Sequence, residues 1–295
     1  MQKLECNPKF KKNVLLKKHI TFEIGGPAKY FWAAKTKEDV IEAVKWAKEK
    51  KLPFFILAGG SNVLALDEGY KGLVIKIENC KLKIENCNIW AEAGAKLEDL
   101  VRLSAEASLA GLEWAAGIPG KVGGAVYGNA QAFDKKMSDI VESVEILDSR
   151  DLKIKNLPKE KCQFSEKNSI FKKNKNLIIL SAVLKLKKGN RKEIQKRIKE
   201  HLERRRKNHP LDLPSAGSVF INKLGKPPSA YLIEKAGLKG TRIGRVEVSQ
   251  KHAGFIVNSG GAKAEDVLKL IKVIKEKVKQ KFGINLKEEI QIINN

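Results

Sequence analysis

Apolar residues recur at helical spacing in the first half of the chain. One such segment follows Thr36, whose side chain suits a helix N-cap with Asp39 three residues later, and its helix is predicted to end near Lys51. A second helix is predicted from about Leu97 to Gly111. Because apolar residues line one side of each segment, both helices are predicted to bury one face.

The second half of the chain predicts two further helices. A strongly basic segment with apolar residues at every fourth position, from Ile194 to Leu202, is predicted to end before Pro210. The last long helix is predicted at about 264–282, and Gly283 suits the left-handed residue that often follows a helix.

Short apolar runs bounded by turn residues predict strands between these helices. They lie at 54–57, 73–77, 144–147 and 177–186. Because strands and helices do not alternate strictly, the pattern predicts an α+β fold. The basic segment 204–210, which ends in a proline, is the predicted boundary between two domains.

The 295-residue chain has a net charge of +24, and its basic residues are spread from one terminus to the other. No stretch interleaves basic and aromatic residues as a nucleic-acid stacking platform does, so no nucleic-acid partner is expected. A positive field instead attracts anionic ligands such as nucleotides and phosphates. No apolar run approaches the roughly 18 residues of a membrane span, and segment 1–18 lacks the apolar core of a signal peptide. We therefore expect a cytoplasmic protein without membrane insertion.

Cysteine and histidine spacing predicts no metal site. The four cysteines form no C-x-x-C pair, and no cysteine and histidine positions match the spacing of zinc ligands. Since the chain is long and carries no signal segment, we expect reduced thiols.

Two glycine-rich segments are candidates for ligand contact. Residues 58–62, Ala-Gly-Gly-Ser-Asn, follow the predicted strand 54–57 and suit either a phosphate-binding loop or a simple tight turn. Residues 117–124 contain four glycines, more than one turn requires. They indicate either backbone pressed against a flat ligand or a buried, tightly crossed loop. Neither segment is a G-x-G-x-x-G fingerprint, so a Rossmann domain is not indicated.

A third segment, 214–220, places two serines among small residues. Ser215 and Ser218 suit either an exposed reactive hydroxyl or an ordinary turn or cap.

These segments occur in a fixed order with several others along the chain. The series is 21–28, 59–62, 111–120, 214–220, 252–258 and 282–290. It resembles the UDP-N-acetylenolpyruvoylglucosamine reductase family from about residue 19 to residue 291. The most specific segments are 117–128 and 214–220, and the compact length resembles the shorter of the family's two subtypes.

The resemblance implies a particular fold and reaction. The fold is a two-lobed FAD-binding domain of the vanillyl-alcohol-oxidase-like type at 1–205, with lobes at about 1–78 and 79–205, and a C-terminal α+β substrate-binding domain at 206–295. FAD is held without a covalent bond and NADPH is the hydride donor. The UDP-sugar substrate, UDP-N-acetylglucosamine enolpyruvate, is reduced to UDP-N-acetylmuramate for peptidoglycan synthesis. The oligomeric state stays open, and a monomer is compatible with the sequence.

Matched positions imply the roles of individual residues. Ser218 corresponds to the serine that protonates the substrate, Glu289 to the C-terminal catalytic glutamate, and Asn222 to a residue near the substrate diphosphate. The residues matched to the FAD pyrophosphate loop are Gly59, Gly60, Ser61 and Asn62. Those matched to the flavin-side loop are Gly117, Ile118, Gly123 and Gly124. The sequence alone also allows Glu289 to be a surface carboxylate beside Glu288.

The chain departs from the family at several positions, and three of these changes are at ligand-facing positions. Where the family usually has Tyr-Arg, this chain has Glu166 and Lys167, so the catalytic role of the arginine falls to Lys167. Lysine offers one compact charge and does not reproduce the two parallel donors of arginine. An exposed Glu-Lys pair on a solvated loop is the alternative interpretation. Gln291 stands where arginine is frequent.

Two other functions are compatible with these residues. One is an oxidase of the same fold that passes electrons to oxygen, and the other is a flavin- or nucleotide-binding protein without turnover. The presence of both Ser218 and Glu289 favours an enzyme. The reductase is therefore the preferred hypothesis.

Overall fold

The computed structural model describes residues 10–222 and 225–294. The first part of the chain forms a four-stranded sheet in the order β1-β2-β5-β3, in which β1 is antiparallel to β2 and the other pairs are parallel. Its elements, with the separate strand β4, are β1 (Phe10–Leu15), β2 (Pro27–Ala34), α1 (Lys37–Glu49), β3 (Phe54–Leu57), β4 (Val63–Ala65) and β5 (Tyr70–Ile77).

Helix α1 begins where the sequence predicts. The Thr36 hydroxyl accepts a hydrogen bond from the Asp39 amide at 3.1 Å, and the Asp39 carboxylate accepts one from the Thr36 amide at 3.2 Å. This reciprocal capping box satisfies amide groups that have no partner inside the helix. The buried face of the helix then packs on β2 and β5.

The middle of the chain builds a five-stranded antiparallel sheet in the order β12-β11-β13-β7-β6. Its elements are β6 (Leu82–Glu85), β7 (Asn88–Glu92), α2 (Leu97–Glu106), β8 (Leu109–Ala110), α3 (Val122–Tyr127), β9 (Gln131–Ala132), β10 (Lys135–Lys136), β11 (Val141–Asp148), β12 (Lys153–Pro158), α4 (Ile170–Lys173), β13 (Leu177–Lys185), β14 (Lys187–Lys188) and α5 (Arg191–Asn208). Single 3-10 turns lie at Leu16–Lys18, Glu113–Ala115, Met137–Asp139 and Lys159–Cys162.

Two boundaries in this region differ from the sequence prediction. Helix α2 ends at Glu106 instead of continuing to Gly111, because the chain turns at Ser108 with a φ of 55° and enters the short strand β8. The glycine-rich segment is a loop only up to Lys121. Residues Val122–Tyr127 form a helix, and the amide of Gly123 donates to the Ala93 carbonyl at 2.8 Å. Tertiary packing thus overrides the low helix propensity of glycine there.

The last part of the chain forms a third sheet, in the order β15-β18-β17-β16, covered by helices. Its elements are β15 (Ser215–Ser218), α6 (Ser229–Lys235), β16 (Arg242–Ile243), β17 (Val246–Val248), β18 (Phe255–Asn258) and α7 (Ala264–Phe282). Gly283 follows α7 with a φ of 67°, as predicted, and accepting this left-handed conformation costs glycine little.

The end of the chain returns to the first part of the molecule. Strand β19 (Gln291–Ile293) pairs in parallel with β4, and Ile293 is buried there with only 1% of its surface exposed. Phe22, Ile24 and Leu64, from the first part of the chain, in turn belong to the buried apolar cluster that includes the inner face of α7. The C-terminal sheet therefore shares a hydrophobic core with strand β4 and with the segment that precedes β2.

A polar contact joins the same two parts. The carboxylate of Asp67 accepts hydrogen bonds from the first two amides of α7, at 3.1 Å from Ala264 and 3.3 Å from Glu265. Negative charge at a helix N-terminus is stabilising. Here the charge belongs to a residue 197 positions away along the chain.

The α+β prediction is confirmed by this arrangement. The predicted division at residue 205 falls near the end of α5 and stays a prediction. Within the described ranges, no helix is both long and apolar enough to cross a membrane. Cys80, Cys87 and Cys162 are free thiols, and Cys6 lies outside the described residues.

Candidate active site

The two glycine-rich loops that the sequence singles out meet each other, backbone against backbone. A Cβ atom added to Gly59 would lie 3.0 Å from the Cα of Gly120, and one added to Gly120 would lie 3.1 Å from the Ser61 hydroxyl. A Cβ on Gly124 would contact only Ala58, at 3.6 Å. Glycine is favoured at 59 and 120 because the two loops approach closely there, whereas the contact at Gly124 is an ordinary one.

Gly60 also lies against the residues that precede β2. Its φ is 66°, and a Cβ there would come within 2.6 Å of the His19 carbonyl oxygen. The Gly60 carbonyl accepts a hydrogen bond from the Thr21 amide at 3.1 Å, while the Thr21 hydroxyl donates to the Ser215 carbonyl at 2.7 Å. Thr21 therefore connects the loop at 58–62 to the strand that carries Ser218.

Basic side chains lie next to these loops. The Lys121 ammonium donates to the Ile77 carbonyl at 2.6 Å, and burial, with a smaller effect from the charge of Lys76, lowers the pKa of Lys121. The Lys76 ammonium lies 3.2 Å from Nδ1 of His19. Burial, and to a smaller extent the charge of Lys76, lowers the pKa of His19. Glu78 forms an ion pair with Lys76 at 3.4 Å.

The loop at 117–124 packs against helix α5. Gly117 has a φ of 71°, and a Cβ there would lie 3.0 Å from the Arg205 side chain. Arg205 is 8% exposed and donates to the Ala116 carbonyl at 2.8 Å and to the Trp114 carbonyl at 3.4 Å. Ile118, which follows Gly117, is partly buried against the same apolar core. The arginine thus holds the backbone from which the loop begins.

The residues with predicted catalytic roles come together on the other side of the loop at 58–62. The Glu289 amide donates to the carbonyl of Val219, the neighbour of Ser218, at 2.7 Å. The Asn62 side chain donates to the Glu289 carbonyl at 3.2 Å. The carboxylate of Glu289 forms an ion pair with the Lys167 ammonium at 2.9 Å.

This ion pair contradicts two of the alternative interpretations. The side chains of Lys167 and Glu289 are only 16% and 15% exposed, so neither is an ordinary surface charge. Lys167 pairs with Glu289 instead of with its neighbour Glu166. A charge withdrawn from water in this way requires a partner of opposite charge. Lys167 and Glu289 are such partners for each other.

The turn that carries Lys167 is held by three hydrogen bonds. Lys167 has a φ of 51°, an uncommon value for a residue with a side chain. The buried Asn129 donates to the Ser165 carbonyl at 2.8 Å, and the Ser169 hydroxyl donates to the Tyr127 carbonyl at 2.7 Å. The Lys172 ammonium donates to the Lys167 carbonyl at 2.9 Å.

The side chain of Asn222 contacts Ser229 and not the other predicted site residues described above. Its side-chain oxygen accepts from both the amide and the hydroxyl of Ser229, each at 2.9 Å, at the start of α6. The side-chain oxygen is thus occupied within the C-terminal part, and the predicted contact with a substrate diphosphate stays a prediction.

The site fits FAD in two respects. The loop at 58–62 follows β3, which is parallel to β5, and crevices beyond the carboxyl ends of parallel strands are common nucleotide sites. The close approach of Gly59 to Gly120 brings main-chain groups together at this edge, and the positive charges of Lys76 and Lys121 nearby suit a diphosphate.

Three residues of the site were given no role in the sequence analysis. Lys121 lies inside the glycine-rich segment and Thr21 inside a family-like segment, so their positions were usable signals. Lys172 stands beside Lys173 in a lysine-rich stretch, and nothing in the sequence distinguishes the two.

Comparison with known proteins agrees with this geometry. A family model described as "FAD binding domain" matches residues 28–156, the part of the chain that contains both glycine-rich loops. The fold and the site therefore define a flavin-dependent oxidoreductase. A second model, described as "UDP-N-acetylenolpyruvoylglucosamine reductase, C-terminal domain", matches residues 209–293, which carry Ser218 and Glu289. The chain belongs to the UDP-N-acetylenolpyruvoylglucosamine reductase family.

Relatives match over nearly the whole chain. The UDP-N-acetylenolpyruvoylglucosamine reductase of Caldanaerobacter subterraneus subsp. tengcongensis is 42% identical, over 95% of this chain and 92% of the relative. That of Caldicellulosiruptor bescii is 45% identical, over 96% and 90%. The crystal structure of UDP-N-acetylenolpyruvylglucosamine reductase from Thermus caldophilus superposes with a TM-score of 0.83 at 34% identity, covering 96% of this chain and 98% of the other.

Proposed function

We propose that this chain reduces UDP-N-acetylglucosamine enolpyruvate to UDP-N-acetylmuramate, a step in the synthesis of peptidoglycan precursors in the cytoplasm. The main support is the position of Glu289: its carboxylate pairs with Lys167, and its main chain is hydrogen-bonded to Val219, next to Ser218, and to the side chain of Asn62. Non-covalently bound FAD supplies the chemistry, which is hydride transfer from NADPH to the substrate.

The residues that would hold the cofactor lie in the two converging loops. Gly59, Gly60, Ser61 and Asn62 present backbone amides and short polar side chains, which suits a diphosphate. Gly117, Ile118, Gly123 and Gly124 present backbone and a small apolar surface, which suits a flat ring system. Arg205 and Lys121 hold the second loop through hydrogen bonds to the carbonyls of Ala116 and Ile77.

The three catalytic candidates have complementary tasks. Addition of hydride to the methylene carbon of the substrate moves negative charge toward the adjacent carbon and its carboxylate. The ammonium of Lys167 is the nearby positive charge that would stabilise this developing anion. Ser218 would then donate a proton to that carbon, and Glu289, paired with Lys167, fixes the position of the ammonium.

A stopped-flow comparison of the purified protein tests the proposal. We expect a yellow protein that releases FAD on denaturation, is reduced by NADPH, and is reoxidised rapidly by the enolpyruvyl substrate without oxygen. Rapid reoxidation by oxygen alone would instead identify an oxidase, and failure of NADPH to reduce the flavin would identify a binding protein. Colourless protein that takes up no added FAD would contradict the assignment altogether.

A further inference from the structure

We propose that Lys172 is a positioning residue of this active site, which holds Lys167 in the orientation that the reaction needs. The inference rests on the proposed function, because it concerns the same substrate carboxylate. It assigns a role to a lysine outside the group of residues with predicted catalytic roles. It also offers a reason why a lysine can stand where the family usually has arginine.

The first support is the geometry of the turn. Lys167 has a φ of 51°, and a residue with a side chain keeps this conformation only when its surroundings hold it. The Lys172 ammonium reaches back to the Lys167 carbonyl, with the two atoms 2.9 Å apart. A hydrogen bond from a charged donor is among the stronger ones in proteins, so it suits the task of fixing this peptide.

The second support is the charge arrangement around Glu289. The Lys167 ammonium lies 2.9 Å from the carboxylate, and Lys172 also interacts with Glu289. Burial lowers the pKa of Lys172, and the charge of Glu289 opposes that decrease while those of Lys167 and Lys287 add to it. Lys172 and Lys167 therefore both interact with the same carboxylate, so Lys172 lies within the charge cluster that positions the Lys167 ammonium.

The chain also provides a matched control for the test, at the next position. Lys172 is only partly exposed and makes the contact described above, whereas Lys173 is exposed. Both belong to the single turn of α4. A substitution at Lys173 therefore removes a lysine from the same element without touching the Lys167 carbonyl.

The test compares Lys172→Met with Lys173→Met in the full-length FAD-loaded protein. We expect Lys172→Met to retain its FAD and its rate of reduction by NADPH, and to be reoxidised by the enolpyruvyl substrate about 10-fold more slowly, a size typical of the coupling between neighbouring residues. Lys173→Met should match the wild type in both half-reactions. Lys172→Arg, which keeps the charge and the donor, should recover part of the lost rate.

A double substitution separates positioning from general damage. If Lys172 acts through Lys167, adding Lys172→Met to Lys167→Ala should slow reoxidation by less than twofold further, since no ammonium remains to be positioned. An additional 10-fold loss in that background would overturn the proposal, as would wild-type reoxidation by Lys172→Met. Loss of FAD or of folding in Lys172→Met without any recovery in Lys172→Arg would show a structural role instead. An inactive wild type would contradict the proposed function itself.

Discussion

At the scale of single residues, the structure shows that Lys167 is a buried, paired charge and not an exposed one. The sequence allows an exposed Glu-Lys pair on a loop, but the Lys167 side chain is mostly buried and bonded to Glu289. Three hydrogen bonds from two segments, 127–129 and α4, hold the surrounding turn, and Glu289 pairs with the ammonium itself. A defined position is what stabilisation of a developing charge requires.

Removal of this ammonium should therefore slow the chemical step. We expect Lys167→Ala to lose about 2–4 kcal/mol of transition-state stabilisation, the scale for one preorganised donor, as measured by kcat/KM for the enolpyruvyl substrate. Lys167→Arg should keep at least part of the activity because it retains the charge. Equal turnover in the wild type and Lys167→Ala would mean that another group supplies the positive charge.

The hydroxyl of Ser218 should affect only the second half of the reaction. We expect Ser218→Ala to be reduced by NADPH at the normal rate and to react with the enolpyruvyl substrate at least roughly 10²-fold more slowly, the lower range for general acid catalysis. Ser215→Ala, in the same short strand, is the control and should change neither rate by more than a few-fold. Near-normal turnover in Ser218→Ala would remove this residue from the mechanism.

At the scale of elements, the loops decide whether the cofactor site forms. The loop at 58–62 is tied to Thr21 and packed against Gly120, so it behaves as one unit with its neighbours. Its glycines are required by collisions with backbone, which cannot move away as a flexible side chain can.

A glycine substitution in this loop should weaken FAD binding. A Cβ on Gly60 would lie 2.6 Å from the His19 carbonyl oxygen, so Gly60→Ala must displace the loop. We expect a large loss of FAD affinity, measured by flavin fluorescence on titration of the apoprotein. The control is Gly237→Ala, which has a similar φ of 76° but no atom within 4 Å of the added Cβ. Equal FAD affinity in the two variants would show that the collision has no effect on the site.

At the scale of the whole molecule, the first and last parts of the chain are assembled together. Strand β19 pairs with β4, and Asp67 beyond β4 caps α7. Glu289 lies two residues before β19, and the Gln291 amide donates to the Asn62 carbonyl at 3.0 Å. Docking of the last strand therefore places a catalytic candidate against the predicted cofactor loop.

Weakening this docking should lower both stability and activity. Ile293 is 1% exposed, and we expect Ile293→Ala to lower the free energy of unfolding by about 2–4 kcal/mol, as buried large-to-small changes do. Activity should fall as well, because Glu289 is displaced. Ile292→Ala, at a 37% exposed position in the same strand, should change both little. Urea denaturation and kcat/KM measure the two effects, and similar losses in the two variants would contradict the docking argument.

The sequence alone determined the local elements and the family. Thr36 with Asp39, the apolar run at 54–57 and Gly283 after α7 predicted their structures correctly, because capping, short-range periodicity and left-handed glycines depend on neighbours along the chain. Helix α3 escaped prediction, because contacts such as that from Gly123 to Ala93 outweigh the local preference of its glycines.

Only the tertiary structure decided how the site is assembled. The partner of Lys167 is Glu289, far away along the chain, and the Asp67 cap of α7 comes from the turn after β4. Lys172 looks like any other lysine in the sequence. Such contacts depend on how sheets and helices pack, and no local pattern encodes which distant charge will be withdrawn from water beside another. The order of the motifs thus identified the family, whereas folding determined which side chains share the active site.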